Sequence, residues 1–336
     1  MPGRMNDMDG GRPLLDIASY ARRGPGRTDR LSPAEVAQIA RTVGRTPEVM
    51  VKVLSKGGQS AGAVQRHLDY LGRGGELEIE TDDGEQLKGK GVEKALLEDW
   101  DLDLDTHRRR SDLAARNGRA QPKLVHKLIF SMPAGTSPDK VLAATRKFAR
   151  EQFGMKHRFA MALHTDEPHP HVHLVLKAVS EQGVRLNIRK ATLRDWRNDF
   201  ARYLRAEGVA ANATERAVRG ESRKAKKDGI HRAMLRGRSS FVRAQVEAVA
   251  KSLLSDTARV EPGWATLHGT RQEVLRGWHD VAMQLVEHGQ RDLAYAVQRF
   301  SAAMPPVRTE REWVAKRLRE HTRLIKAGLE PPQRVI

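Results

Sequence analysis

Four histidines stand within ten positions of one another, at 164, 169, 171 and 173, in the stretch LHTDEPHPHVHLVLKAVS (Leu163–Ser180). Residues two apart on a strand share a face, so His171 and His173 point the same way. If the intervening TDEPHP folds back as a hairpin turn, His164 on the preceding strand meets them. His169 competes for the third position, although the flanking Pro168 and Pro170 also suit it to the turn itself. Three neutral imidazoles on one face leave the other positions of a divalent ion open, which is what catalysis needs and a closed structural site lacks. A lone histidine is ordinarily a solvated or core residue, but four in one strand-turn-strand are poorly explained that way. Mn²⁺ and Mg²⁺ are the expected ions, and Zn²⁺ is compatible with the same donors. Asp166 can accept an imidazole N–H or contribute to the base that deprotonates a nucleophile, unless it only bonds its own turn backbone. Glu167 offers the same choice.

An ion on three histidines polarises a phosphoryl oxygen and still requires a nucleophile. The chain has no cysteine and four tyrosines: Tyr20, Tyr70, Tyr203 and Tyr295. Tyr203 completes a helical stripe with Trp196 and Phe200, and Tyr295 lies in the packing-type pattern LAYAVQRF. Tyr70, in HLDYLGRGG, stands at a helix end where glycines turn the chain, with Arg66 one helical turn before it and Arg73 after it. Guanidinium groups around a tyrosine suit it to a phosphodiester, although an amphipathic packing tyrosine would look similar.

The absence of cysteine excludes disulfides, zinc-thiolate sites and thiol nucleophiles. Lys and Arg number 60 against 42 Asp and Glu, a net charge of +18. Such an excess attracts a polyanion, and nucleic acid is the expected partner. No apolar run approaches the length of a membrane span, and the N-terminus lacks the apolar region of a signal peptide, so a cytoplasmic protein is expected.

The elements that must position these residues follow from the hydrophobic pattern. Residues 1–47 read as a basic, largely flexible arm with one short helical candidate near Ser32–Thr42. Strands are expected at Met50–Ser55, Lys123–Met132, His157–His164 and His171–Val179, with a short edge strand at Leu77–Glu80. Helices are expected at Ala61–Leu71 behind an N-cap at Ser60, at Gly91–Trp100, after Ser137, and from Thr192. The charged segment Asp105–Pro122 reads as a surface loop. The order implies an α+β fold, an antiparallel sheet covered on one face by helices. Beyond it lie a basic linker at 219–239 and a helical region at 240–336 of unassigned role, leaving 48–218 for the domain with the chemistry.

Taken together, these motifs resemble the HUH-class conjugative relaxases, the mobilisation nucleases, and within them the P-type group that includes the Ti-plasmid border endonuclease. The family's His-x-Asp, four residues, His-hydrophobic-His reads here as His164, Asp166, His171 and His173. Its tyrosine motif is matched by VKVLSKGGQSAGAVQRHLDYLGR with Tyr70 and Arg73, and its Ser-x-Pro-x-Gly by Ser131, Pro133 and Gly135. The resemblance covers roughly residues 49–220. It implies a sheet of about five antiparallel strands with the two HUH histidines on a central strand, and favours His164 over His169 as third ligand. It further implies a Tyr70 nucleophile that forms a 5′-phosphotyrosyl bond to single-stranded DNA at a transfer origin. Ser131 would help position DNA, in company with Arg66 and Arg73 beside Tyr70, and Asp166 would assist His164 or the base. Relaxosome accessory proteins and a type IV secretion coupling protein are the partners implied, in a bacterial cytoplasm. Two other readings fit parts of the pattern: a rolling-circle initiator using Tyr203, and a non-catalytic DNA-binding accessory with a structural metal.

Overall fold

The structure, a computed structural model, describes residues 31–54, 58–222, 228–255, 261 and 263–329. Tyr20 and most of the expected arm lie outside the described residues, as do Ser55 at the end of the expected first strand, 56–57 of the turn after it and 223–227 of the expected basic linker. The chain divides into two compact units, one of residues 44–213 and one combining 31–43 with 214–329.

In chain order the elements begin with helix α1 (Pro33–Val43), strand β1 (Met50–Val53) and helix α2 (Ala61–Leu71). Strands β2 (Ile79–Thr81) and β3 (Gln86–Leu87) precede helices α3 (Val92–Asp99) and α4 (Leu104–Arg116). Strand β4 (Val125–Ser131), helix α5 (Pro138–Phe153), strands β5 (Phe159–His164) and β6 (His171–Lys177) and helix α6 (Lys190–Ala206) complete the first unit. The second unit adds α7 (Asp228–Leu235), α8 (Ser240–Leu254), α9 (Trp264–Glu287), α10 (Arg291–Ala302) and α11 (Glu310–Lys326).

The first unit is an α+β fold built on a six-stranded antiparallel sheet of order β1-β4-β6-β5-β2-β3. The sixth strand is the two-residue β3, which takes the edge position expected of the segment now seen as β2. Alternation along the strands assigns the faces. Leu128, Phe130, Phe159, Met161, Val172, Leu174 and Leu176 meet Val141 and Phe148 of α5 and Trp196, Phe200 and Leu204 of α6.

The opposite face is also covered in part, contrary to the one-sided expectation. Val125, Ala160, Ala162 and Val175 pack against Val64, Leu68 and Leu71 of α2 and against Leu96 and Trp100. Two alanines on that face leave room for a helix to approach the sheet closely. Burying these side chains contributes about 1.5–3 kcal/mol for each large aliphatic residue relative to leaving it exposed.

The segment expected as a loop at Asp105–Pro122 is largely α4. Asp103 caps it, its carboxylate accepting the Thr106 N–H at 3.1 Å. None of its residues is buried, so no apolar stripe announced the helix. In the second unit, Ile39 of α1 joins Val274, Trp278, Val281 and Leu285 of α9 and Ala294 and Val297 of α10 in a separate core. There the Trp278 indole donates to the Val218 carbonyl at 2.9 Å.

Candidate active site

The β5-β6 hairpin sets the histidine geometry. His164 is paired directly with His171, and His173 with Ala162, so the three imidazoles emerge on one face from adjacent, central strands. One nitrogen from each comes within 4.8 Å of the others. Ring centroids are 4.5 Å apart for His164 and His173, 5.1 Å for His171 and His173, and 5.5 Å for His164 and His171.

Carbonyl partners determine the tautomers, because only a protonated ring nitrogen can donate to a carbonyl. His164 Nε2 donates to the Leu71 carbonyl at 2.9 Å and His171 Nδ1 to the His169 carbonyl at 3.0 Å. Lone pairs therefore remain on His164 Nδ1 and His171 Nε2. His173 Nδ1 is buried without a hydrogen-bond partner. Burial, followed by the neighbouring His164 and His171, pushes the His173 pKa down to about 3. Burial also lowers His164, partly opposed by its bond to Leu71. Both imidazoles are thus held neutral at pH 7, the protonation state a metal ligand requires.

His169 turns away from this group, accepting the Ala134 N–H on its Nδ1 at 3.0 Å. That bond ties the histidine hairpin to the loop after β4. Ser131 ends β4 directly opposite His171; its side chain is buried and its hydroxyl reaches the Met132 carbonyl at 3.4 Å.

Helix α2 delivers the tyrosine. Ser60 caps its start by accepting the Ala63 N–H, and Val64, Leu68 and Leu71 anchor one face in the core. Tyr70, beside the buried Leu71, is left 42% exposed, and its ring meets His164 and His173 edge-on at centroid distances of 5.6 and 5.5 Å. Arg66 is exposed one turn earlier on the same helix.

After α2 the chain reverses through Arg73, Gly74 and Gly75, all with positive φ (52°, 67° and 97°). Gly75 cannot be replaced cheaply, since a Cβ there would lie 2.4 Å from the Gly89 carbonyl carbon. The reversal brings Arg73 back over the site, where it donates to His164 Nδ1 at 3.2 Å and forms an ion pair with Asp166. Asp166 and Glu167 are exposed in the hairpin loop, and the Asp166 carboxylate accepts a hydrogen bond from Arg73.

One residue at the site was not singled out from the sequence. His67 precedes Tyr70 by three positions on α2, and its ring stacks on the tyrosine at 5.8 Å with planes 16° apart. It also lies 6.2 Å from the His173 ring. The available signal was its i, i+3 spacing from Tyr70, which makes the two neighbours on a helix. Burial, then Lys127 and His164, lower its pKa to about 4.

The other described tyrosines are placed differently. Tyr203 is buried in the core on the far face of the sheet, where Arg202 donates to its hydroxyl at 3.1 Å. A rolling-circle mechanism would need it beside the histidines. Tyr295, expected in a packing stripe, is instead 63% exposed, in the second unit.

Residues 81–209 match the relaxase family described as MobA/VirD2-like, nuclease domain. That span contains Ser131 and all four histidines and begins after Tyr70. The T-DNA border endonuclease VirD2 of Agrobacterium fabrum is 28% identical over 195 residues, which are 52% of this chain and 41% of that protein. VirD2 of Rhizobium rhizogenes is 27% identical over 192 residues, 52% of this chain and 42% of its own. The matched part thus spans about two fifths of these relatives, 41% and 42% of their length. A solved structure described as "Molecular Basis of Vancomycin Resistance Transfer in Staphylococcus aureus" aligns with 51% of this chain and 99% of its own, at 14% identity and a TM-score of 0.31.

Proposed function

We propose that this chain, a relaxase resembling the VirD2 border endonucleases in its nuclease domain, nicks single-stranded DNA at a transfer origin, with Tyr70 as nucleophile. The observation that carries this reading is the Tyr70 ring held edge-on to His164 and His173, where three imidazole nitrogens converge within 4.8 Å.

The donor set suits a divalent ion. Three imidazoles share one face, two of them oriented by carbonyl partners, and a buried His173 Nδ1 is left without a hydrogen bond. His164, His171 and His173 would hold the ion, which supplies charge stabilisation to the scissile phosphate oxygens. Mn²⁺ or Mg²⁺ is our proposal, with Zn²⁺ compatible with the same ligands.

The chain's own groups perform the rest. The Tyr70 oxygen forms a bond to phosphorus while the bond from phosphorus to the 3′ oxygen breaks, and that oxygen leaves as a hydroxyl after taking a proton. The new phosphotyrosyl ester sits on the 5′ end of the cut strand and keeps the diester bond energy, so the reverse step reseals it. Arg73 places positive charge beside the attacking oxygen and the incoming phosphate, and Asp166 holds Arg73 in that position. Ser131, opposite His171, and Arg66, exposed on α2, flank the path proposed for the strand.

Relaxosome accessory proteins and a type IV secretion coupling protein are the proposed partners, and the bacterial cytoplasm the proposed location. No helix among the described residues is long and apolar enough to cross a membrane. The test is incubation with a single-stranded origin oligonucleotide and Mn²⁺ or Mg²⁺, followed by mass spectrometry of peptide–DNA adducts. An adduct on Tyr70 is expected, and one on any other residue overturns the assignment.

A further inference from the structure

On the face of the sheet that carries the histidines, one charged side chain is nearly enclosed and has no counter-ion among the described residues. Lys127 of β4 is 9% exposed. It stands opposite Val175 of β6, two residues from Ile129, which stands opposite His173. Opposed residues of antiparallel strands share a face, so Lys127, Ile129, His173 and Val175 all point to the active-site side.

The charges around Lys127 are of its own sign. Lys123 lies close enough to lower its pKa, the larger cause being burial, and Lys127 in turn lowers that of His67. No carboxylate among the described residues pairs with it. A buried ammonium without an anion costs free energy that an apolar side chain of the same length would not. On β1, Lys52 stands opposite Ile129 and Met50 opposite Ser131, and both residues are exposed.

We infer that Lys127 is a phosphate-binding residue that takes the phosphate next to the scissile one as the strand crosses β4, with Lys52 beside it at the open edge. The inference rests on the relaxase reading for its choice of anion. Two residues of strand advance about 6.6 Å, comparable with the spacing of successive phosphates in an extended single strand. The phosphate would supply the counter-ion that the protein withholds.

The experiment measures binding of a fluorescein-labelled oligothymidylate by anisotropy across a salt series, for the full chain and for Lys127→Met and Lys127→Arg, with thermal unfolding of each free protein. Lys127→Met is expected to bind roughly tenfold more weakly, and to lower the slope of log K against log salt by about 0.7. Its free form should unfold no earlier than the parent, because the unpaired charge is gone. Lys127→Arg should keep the slope. Lys127→Gln is read in the same way should the methionine variant not fold. Wild-type slope and affinity in Lys127→Met, or a lower unfolding temperature with unchanged binding, overturns the inference and marks a structural lysine. A lysine-dependent slope without any Tyr70 adduct on an origin strand removes the relaxase reading and leaves the phosphate site. An adduct formed with Lys127→Met binding as wild type removes the phosphate site alone. A wild-type chain that fails to bind the oligonucleotide removes both.

Discussion

The Arg73 guanidinium carbon sits 4.4 Å from the centroid of the Tyr70 ring, while the same side chain bonds His164 and Asp166. One residue therefore joins the proposed nucleophile, the histidine cluster and the hairpin loop. Replacing Arg73 with Asn, a residue that tolerates the positive φ here, removes the charge without straining the turn. Adduct formation should slow roughly 10²-fold. The ion pair it breaks is partly exposed, its side chains being 28% and 55% accessible, so unfolding temperature should barely move. Single-turnover kinetics with calorimetry separates the two effects. A large loss of stability with little change in rate would assign Arg73 to the fold instead.

Tyr70→Phe removes one exposed hydroxyl from a ring that packs beside two histidines. The covalent adduct should disappear, while stability stays within about 0.5 kcal/mol and the salt-dependent affinity for single-stranded DNA is retained. Denaturing gel electrophoresis of the labelled strand is the readout. Cleavage that survives the substitution would transfer the nucleophile elsewhere.

His173→Ala takes away a buried donor, 4% exposed and with an unbonded Nδ1. Bound divalent ion, measured by elemental analysis, and nicking should be lost together. DNA affinity should change little if, as proposed, contacts between the basic surface and phosphates supply most of it. Full nicking by the metal-free variant would show that the histidines serve another purpose.

Acid should destabilise the protein through its buried imidazoles. Burial, then the Lys123 charge, lowers His126 to about 4 from an ordinary 6.5. Between those values the unfolded chain binds more protons than the folded one, so stability is complete above pH 6.5 and declines as pH falls toward 4. His67 and His173 shift the same way in the ion-free protein. Unfolding temperatures of His126→Gln over this range should fall less steeply than those of the parent. An identical decline would remove His126 as a contributor.

The juxtaposition of the histidines was legible locally. A period of two along a strand and a short turn sufficed to bring His164, His171 and His173 onto one face, and β5 and β6 pair them as that pattern requires. The strand period of two likewise revealed β1 and β4, and the helical period revealed α2, α5 and α6, each of which buries apolar side chains. Helix α4 was missed because it buries nothing, and the exposure of Tyr295 because its pattern LAYAVQRF looks the same whichever face meets a core.

What only the tertiary structure decided is the meeting of elements far apart in the chain. Tyr70 reaches the histidines because α2 lies across the second face of the sheet, over Ala160 and Ala162, and no local pattern states which helix covers which face. Arg73 meets Asp166 across 93 positions of sequence, and His67 gains a place in the site only because its helix end is aimed there. Lys127 reads in the sequence as one more basic residue among 60. Its burial without a counter-ion among the described residues follows from packing, since side-chain identity sets which atoms are available and long-range contacts set which of them lose water.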